Sequence, residues 1–263
     1  MKRICVAFLI ALFFVPSLAC GSFGGSFVVG SGNMVSKDFD VSGFDRVRLE
    51  GSADVYIEQG STESLSVKAD DNIIPALDVS VRNNELVLSI KRGYSVNPSR
   101  SIIYYLTVQD ISDLSLIGSG NFYVGPIESN ELSVSVPGSG DIIIDELTAD
   151  SISIDLAGSG SITLEDINVK TVDTSVKGSG DIKLAGTAKT QTVRIGGSGN
   201  YLAGDLETNT ADIDVQGSAD VTVWANDELD IAITGSANVR YYGEPNVNQS
   251  GVGSGDLTSL GDK

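Results

Sequence analysis

The chain has 263 residues, and its 35 acidic side chains outnumber the 17 basic ones to give a formal net charge of −18. So acidic a surface repels nucleic-acid phosphates and anionic lipid headgroups, which argues against nucleic acid as a partner and against docking through basic patches. Histidine is absent, which removes the commonest general base and metal ligand, and every nucleophile that is paired with histidine.

The N-terminus predicts an export signal over residues 1–19. Lys2 and Arg3 precede an apolar run from Ile4 to Val15, and small residues follow before Cys20. This order is typical of a secretory signal peptide, and the run is too short to span a bilayer as a permanent helix. We therefore expect an exported protein.

Cleavage after Ala19 would make Cys20 the first residue of the mature chain and its only cysteine, because Cys5 leaves with the signal. A single cysteine cannot form an internal disulfide, so Cys20 is either a free thiol or, as we favour, a lipid-modified anchor. Residues 17–20 resemble a bacterial lipoprotein box, although Ser17 stands where leucine is usual. Gly21 resembles an outer-membrane sorting signal, which implies a lipoprotein facing the periplasm or the cell surface. A soluble periplasmic or secreted protein is the alternative.

After the signal, the sequence predicts two further parts. Residues 20–36 would hold the anchor cysteine and a flexible tether, because residues 21–32 are rich in glycine and serine. Residues 37–263 would form a single β-helix domain.

A four-residue signature, Gly-Ser-Gly/Ala-Asp/Asn, recurs along most of this domain. Within the repeats apolar and polar residues alternate, as Ile152, Ile154 and Leu156 do, and helix signals are nearly absent. Alternation with a period of two predicts strands. The copies begin at Gly118, Gly138, Gly158, Gly178, Gly197, Gly217, Gly235 and Gly253, with outlying copies at Gly30 and Gly51.

The repeat predicts an all-β fold, a right-handed parallel β-helix with coils of about 20 residues. Units this small bury their apolar faces only against their neighbours, and parallel crossover connections are right-handed almost without exception. Propellers and antiparallel meanders are the competing folds. A propeller blade needs about 40 residues or more, and a meander would show a two-residue hairpin turn at every reversal. Neither pattern recurs here.

The signature predicts a tight corner between strands. Glycine at its first and third positions permits positive φ and a close approach of successive coils, and the fourth side chain can bond to local amides. In a stack with constant register, the fourth residues would form a ladder in which neutral and ionised members alternate and so repel each other less. They are Asn121, Asp141, Ser161, Asp181, Asn200, Asp220, Asn238 and Asp256.

The 67 residues from Gly51 to Gly118 predict three further coils and a loop over residues 93–101, flanked by Arg92. The loop is either a solvated connection or a ligand-contacting segment. Residues 39–49 are predicted to cap one end of the stack and residues 241–263 the other. The candidate ligand contacts near the loop are Tyr94, Arg100, Tyr104 and Tyr105.

Trp224, the only tryptophan, is the remaining candidate ligand contact. It is predicted to point outward, where it would stack on a sugar or cover a groove between coils.

Several segments together resemble a known bacterial envelope family. Residues 38–47, 51–60 and 67–75, the Gly-Ser-Gly-Asp coils and residues 242–256 are similar to the putative auto-transporter adhesins with a head GIN domain. The resemblance covers nearly the whole mature chain, although Ser52-Ala53-Asp54 replaces the Gly-Ile-Asn motif. It implies a right-handed parallel β-helix, often on exported lipoproteins, with no established biochemical role.

Two functions follow from these observations. The first is a non-enzymatic, lipid-anchored envelope protein that acts as an adhesive or scaffolding β-helix, with the membrane as one partner and an envelope glycan or protein as another. The second is a carbohydrate-binding or polysaccharide-degrading β-helix, argued by fold analogy. Asp141, Asp181 and Asp220 could supply acids for catalysis, but turn capping explains them more simply. We expect no catalytic residue, metal or cofactor.

Overall fold

The computed structural model describes residues 25–263, which are almost entirely strands and turns. The predicted signal peptide, Cys20 and the first part of the predicted tether lie outside the described residues. One 3₁₀ turn, Ile74–Ala76, interrupts the strands. The strands are β1 (Ser26–Val29), β2 (Met34–Phe39), β3 (Arg46–Gly51), β4 (Asp54–Gln59), β5 (Ser64–Asp70), β6 (Leu77–Arg82), β7 (Glu85–Ile90), β8 (Tyr94–Asn97), β9 (Ile103–Val108), β10 (Asp113–Gly118), β11 (Asn121–Val124), β12 (Ile127–Glu128), β13 (Glu131–Val136), β14 (Ile142–Thr148), β15 (Ser151–Leu156), β16 (Ile162–Asn168), β17 (Thr171–Val176), β18 (Ile182–Ile195), β19 (Tyr201–Val215), β20 (Ser218–Ile233), β21 (Ser236–Tyr242), β22 (Asn246–Ser250) and β23 (Leu257–Ser259).

Each coil contributes three strand segments, so the stack has three faces. Face A contains β13 and the strands that pair with it along the axis, face B contains residues 142–144 and their partners, and face C contains residues 147–148 and theirs. Segments of successive coils pair in parallel, with most partners 20 residues apart. About seven coils of about 20 residues confirm the predicted parallel β-helix.

The core is a column of aliphatic side chains inside the three faces. On β15, Ile152, Ile154 and Leu156 are buried while Ser153 between them is exposed. The paired strands repeat this alternation, so each inward residue packs on its counterpart in the next coil. Burial of one such side chain stabilises the fold by roughly 1.5–3 kcal/mol. This free energy is gained only when a neighbouring coil covers the side chain.

The chain does not build its first layers in sequence order. β3 and β4 pair with β10 and β11 on one side and with β7 and β9 on the other. The prediction of three further coils between Gly51 and Gly118 is therefore wrong. Asn83 and Asn84 both have positive φ, at 50° and 64°, and this type I′ geometry turns β6 back onto β7 as an antiparallel hairpin.

Antiparallel strands cap this end of the stack, which we call the capping end (residues 25–108). β6 covers β7, while β5 covers β9 and is itself covered by β2. The predicted cap at residues 39–49 is wrong, because β3 within that segment is an inner strand between β7 and β10. At the other end β22 and β23, within the predicted segment 241–263, are the last strands of the stack.

A small parallel sheet of β1 and β8 lies beside the capping strands. The Ser26 amide donates to the Gly93 carbonyl at 2.8 Å, and Val28 and Val96 pair in register and pack against the core. The predicted tether is therefore wrong for the described part of residues 20–36, and the predicted loop over residues 93–101 is a strand at 94–97. Two apolar residues in a polar sequence, each packed on the core, account for both differences.

The buried carboxylate of Asp70 holds this small sheet to the cap. It accepts hydrogen bonds from the Gly32 amide at 2.7 Å, the Ser99 amide at 2.9 Å and the Ser99 hydroxyl at 2.6 Å. The Ser99 hydroxyl in particular lowers the pKa of Asp70. The outlying signature copy at Gly30 belongs to this contact and not to a coil corner, since a Cβ there would lie 2.3 Å from an Asp70 carboxylate oxygen.

The signature glycines face the backbone of the preceding coil. A Cβ on Gly158 would lie 1.7 Å from the carbonyl oxygen of Gly138, and one on Gly160 would lie 1.8 Å from that of Gly140. No real Cβ approaches backbone so closely, and the neighbouring carbonyl is held by a hydrogen bond from Ser159 at 3.0 Å. The expected close approach is confirmed.

Positive φ explains far fewer of these glycines than the sequence suggested. In the coil corners that the structure describes, Gly51 and Gly118 have φ of 142° and 143°, and the remaining first-position glycines have negative or fully extended φ. Contact between coils, and not left-handed backbone, is the general reason for glycine at this corner.

Coils of different length differ mainly at the corner between faces B and C. One residue is lost between Leu164 and Ile167 relative to the next coil, and residues 204–206 have no partner on β20. The glycine corner keeps the same hydrogen bond in coils of different length. The Ser139 and Ser198 amides donate to the carbonyl of the first glycine in the preceding coil, at 2.7 and 2.9 Å.

Adjacent glycines at one corner give a direct test of this contact. A Cβ on Gly197 would lie 2.0 Å from the Gly178 carbonyl oxygen, whereas one on Gly196 meets nothing within 4 Å. We expect Gly197→Ala to lower the free energy of unfolding by about 3 kcal/mol and Gly196→Ala to change it by less than about 0.5 kcal/mol. Urea denaturation followed by far-UV circular dichroism measures both. Equal effects of the two substitutions would contradict the steric reason given for the signature.

Acid is expected to release the β1–β8 sheet before the coils. The folded-state pKa of Asp70 lies below its ordinary value of 3.8, so the ionised carboxylate stabilises the docked sheet above pH 3.8 and this contribution is lost as the pH falls through the lower, folded-state pKa. Hydrogen exchange of residues 26–33, corrected for intrinsic rates and read by mass spectrometry, should accelerate there while face A stays protected. Asp70→Asn should show fast exchange in the same peptide at neutral pH. Unchanged protection in that variant would show that Asp70 does not hold the sheet.

Candidate functional site

Three tyrosines stack in a row on the outer side of face B at the capping end. Tyr105, Tyr56 and Tyr123 occupy paired positions on β9, β4 and β11. The ring centroids of Tyr56 and Tyr105 are 5.6 Å apart and those of Tyr56 and Tyr123 are 4.9 Å apart, with interplanar angles of 21° and 17°. Parallel pairing in exact register places the three rings face to face.

The end of this row opens into a groove, which we call the tyrosine groove. Ser66 follows Tyr105 in the row, and Asp38 follows Ser66. Because Ser66 is too small to cover the Tyr105 ring, the face of that ring opposite Tyr56 borders a cavity of about 520 Å³. Tyr105 is 48% exposed and Tyr56 41% exposed, so both rings are accessible to a ligand.

Carboxylates surround the tyrosine groove. Of the lining residues that the structure describes, four are acidic and none is basic: Asp38, Asp40, Glu58 and Glu63. Glu63 is already engaged, since it accepts hydrogen bonds from the backbone amides of Gly43 and Phe44 at 2.8 and 3.2 Å. An aromatic face with carboxylates around it can bind a sugar ring, through stacking and hydrogen bonds from hydroxyl groups, or a cationic group.

The five candidate contact residues do not form one site. Tyr105 lies in the tyrosine groove, and Tyr94 on β8 borders a different groove beside Leu49. Arg100 is exposed between β8 and β9. Tyr104 is only 2% exposed and packs in the core, where burial raises its pKa, so its prediction as a ligand contact is wrong. Adjacent strand residues point to opposite faces, and Tyr105, not Tyr104, is the outward one.

Trp224 lies far along the stack, on β20, and an interaction within the chain already covers it. The Lys263 ammonium lies 5.6 Å from the centre of the Trp224 ring and 4.9 Å from that of Tyr242. The same ammonium bonds to the Asp205 carboxylate, and the indole nitrogen donates to Asn226 at 3.0 Å. Of the two predicted roles, covering a corner between coils fits this packing better than stacking on a sugar.

The fourth residues of the signature form the predicted ladder. Asn121 donates to Asp54 at 2.8 Å, and its own side-chain oxygen accepts from the Asp141 amide at 3.1 Å. Asn200 repeats this arrangement between Asp181 and Asp220, at 2.9 and 3.1 Å. Neutral and ionised members therefore alternate along one edge, as predicted.

The ladder places one carboxylate in every second coil, so it does not gather acidic groups at one point. Asp141 accepts from the Ser161 amide at 2.8 Å, so its oxygens serve the backbone of the next coil. Within residues 25–263 the structure has no group of three or more acidic or cysteine side chains placed to hold a metal ion. The same residues include no helix long and apolar enough to cross a bilayer.

Sequence reasoning missed Tyr56 and Tyr123, although a signal for them existed. Each follows the first glycine of a signature by five residues, Gly51 and Gly118, and so occupies the same outward position of its coil. Tyr105 has no signature before it, and only the pairing of β9 with β4 aligns it with the other two.

The chain matches a protein-family model in two overlapping parts. Residues 43–165 and 144–245 match the family described as putative auto-transporter adhesin, head GIN domain. The match confirms the family resemblance of the sequence. No curated protein matches this chain.

Several crystal structures share the fold. A protein from Parabacteroides distasonis, described as a putative lipid binding protein, superposes with a TM-score of 0.84 at 27% identity, over 89% of this chain and 100% of that chain. A putative adhesin from Parabacteroides merdae has a TM-score of 0.85 at 22% identity, over 89% and 99% of the two chains. A putative adhesin from Bacteroides fragilis has a TM-score of 0.62 at 24% identity, over 89% and 100%.

The ladder predicts that one added charge destabilises the stack. Asn200→Asp would set a carboxylate directly against Asp181, and we expect it to lower the free energy of unfolding by about 1 kcal/mol at neutral pH and low salt. Because the site is partly exposed, 1 M salt should remove most of the loss. Asn200→Ser is the matched control, since Ser161 occupies the same position in another coil. Equal unfolding free energies for the two variants would show that charge alternation contributes nothing.

Proposed function

This chain belongs to the family described as putative auto-transporter adhesin, head GIN domain, and we propose that it is an exported, lipid-anchored and non-enzymatic protein of the bacterial cell envelope. Its β-helix would serve as a rigid adhesive or scaffolding body. Family membership supports an adhesin-like role at the envelope or cell surface. Export, the anchor and the non-enzymatic role are our extension of it.

The regular polar surface of face A is the observation that carries the adhesive role. Ser133, Ser153 and Asp173 are outward residues that pair in register on successive coils. Strands in a sheet lie about 4.8 Å apart, so the face repeats small hydroxyl and carboxylate groups at that interval on a rigid support. A surface of this kind suits many weak polar contacts with a repetitive partner such as an envelope glycan or a protein.

The anchor is proposed at Cys20, on the outer membrane. Strand β1 begins six residues after this cysteine, so the folded body would start almost directly at the lipid. The crystal structure from Parabacteroides distasonis is described as a putative lipid binding protein, and we extend contact with lipid to this chain as part of the proposal. A soluble periplasmic or secreted protein is the alternative location.

Carbohydrate binding is a second candidate function, and the tyrosine groove favours it. The open face of Tyr105 provides a surface for a sugar ring, and Asp38 and Glu58 provide acceptors for its hydroxyl groups. Polysaccharide degradation has less support. Asp141, Asp181 and Asp220, the acids considered for catalysis, hydrogen-bond with the neighbouring coils.

Metabolic labelling with a radioactive fatty acid tests the anchor. The full chain and its Cys20→Ser variant are produced in a Gram-negative host, and membranes are separated by density. We expect label and outer-membrane flotation for the wild type and neither for the variant. An unlabelled wild type would contradict the anchor, and label retained by Cys20→Ser would place the acyl group on another residue.

A glycan array tests the tyrosine groove. If the exported chain binds a glycan there, Tyr105→Ala should raise the dissociation constant at least about tenfold, equivalent to about 1.4 kcal/mol. Tyr94→Ala is the matched control, because Tyr94 is 45% exposed but lies outside the groove. Equal weakening by both variants, or no bound glycan, would make the carbohydrate function wrong and leave the adhesive body to act on other partners.

A further inference from the structure

The charge of this protein is distributed very unevenly along the stack. Residues 25–108 contain eight basic and eleven acidic side chains, whereas residues 109–263 contain seven basic and 24 acidic ones. The capping end is therefore close to neutral, and the coils carry most of the negative charge. Beside an anionic surface, such a molecule is turned with its coils away and its capping end toward that surface.

The β1–β8 sheet presents an apolar pair and basic side chains at the capping end. Val28 packs against the core, and its neighbours Phe27 and Val29 point the other way, with 66% and 56% of their surfaces exposed. Arg92 and Arg100 flank β8 and are both exposed. Among the described residues neither arginine lies within 4 Å of a carboxylate. We call Phe27, Val29, Arg92 and Arg100 the foot.

The foot is held rigidly. The Gly30 amide donates to Asn97 at 2.9 Å, and Asp70 binds both the segment after β1 and the segment after β8. Phe27 and Val29 are apolar side chains on a fixed strand, and the arginines lie at either end of its partner strand β8. Such a surface can enter the headgroup region with little loss of conformational entropy on binding.

The proposed anchor would lie close to the foot. Ser26 is the sixth residue after Cys20, and a fully extended chain spans at most about 20 Å over six residue steps. The Ser26 end of β1 lies beside Gly93, next to Arg92, so an acyl group on Cys20 would hold this end of the sheet near the lipid headgroups.

We propose that the foot docks on the anionic phospholipid surface in which Cys20 is anchored. Phe27 and Val29 enter the interface, and Arg92 and Arg100 bind lipid phosphates. A single acyl chain with such a patch binds more firmly than the chain alone. The inference rests on the proposed function for the anchor. It revises the expectation that an acidic protein does not contact anionic headgroups, because the average charge conceals a local exception.

Quenching by brominated lipids tests the docking. Phe27→Trp and, as a control on face B, Leu202→Trp are each made in a Trp224→Phe background. The full chain is produced in a Gram-negative host and reconstituted into phosphatidylcholine vesicles with about 30% phosphatidylglycerol and brominated acyl chains. We expect about twofold quenching in the Phe27→Trp protein and none in the Leu202→Trp protein.

Charge reversal supplies a matched pair of variants. Arg92→Glu with Arg100→Glu should abolish quenching in the Phe27→Trp protein, whereas Arg194→Glu with Arg240→Glu, exposed on the coils, should leave it unchanged. Circular dichroism confirms that each protein is folded. Quenching that survives reversal of the foot arginines would overturn their role.

Flotation of the same vesicles separates the docking from the anchor. Protein that floats without quenching in the Phe27→Trp variant is anchored but not docked, and the inference fails alone. If the exported chain carries no acyl group, the proposed anchor fails, and coupling Cys20 to a maleimide lipid supplies a tether for the same measurement.

Tryptophan emission of the Phe27→Trp protein without lipid tests the other occupant. A blue shift that depends on protein concentration would identify a second copy of the chain at the foot and overturn the proposal.

Discussion

The backbone contact between successive glycine corners is the constraint on which the rest of the structure depends. From Gly118 onward, the first glycine of each corner lies so near the carbonyl of the coil before it that a Cβ on Gly138 or Gly178 would lie 2.2 or 1.7 Å from that oxygen. The contact sets the interval between coils and fixes their register. A fixed register brings aliphatic residues over aliphatic residues inside and amides over carboxylates on the ladder outside. The absence of a Cβ at these corners therefore sets the register in which both the core residues and the ladder residues stack.

The same constraint explains how much of the fold could be predicted from the sequence. The glycine interval and the two-residue alternation are local patterns, and they predict the parallel coils, the inward residues and the ladder in which Asn121 is followed by Asp141. The capping end depends instead on pairings between distant segments. Nothing in the sequence of β1 indicates that it pairs with β8, and the return of β7 beneath β3 depends on two asparagines with positive φ. Part of the segment between Gly51 and Gly118, which the sequence predicts as coils, forms the capping strands β5 and β6. The predicted loop contains strand β8.

The candidate site lies where the repeat is interrupted. In the regular coils each outward residue meets a counterpart one coil away, which gives faces that are flat and chemically uniform. At the capping end, antiparallel β5 places the small Ser66 beside Tyr105 and leaves one ring face open. Tyr104 could not be told from Tyr105 without the direction of β9, because a shift of one residue exchanges the buried and exposed faces. The proposed adhesive role fits this division: the regular coils offer a uniform surface for broad contact, and the capping end offers the tyrosine groove for specific contact.

Hydrogen exchange at the corner amides tests the central claim most directly. The amides of Ser139, Ser159, Ser179 and Ser198 donate to a glycine carbonyl of the preceding coil at 2.7 to 3.0 Å. If the corners are the closed contacts described above, these four amides exchange as slowly in NMR as the central amides of β15 and β17, although they lie at exposed turns. Rapid exchange at the four serines beside protected strands would contradict the account, because it would mean that the strands hold the stack together without the glycine corners.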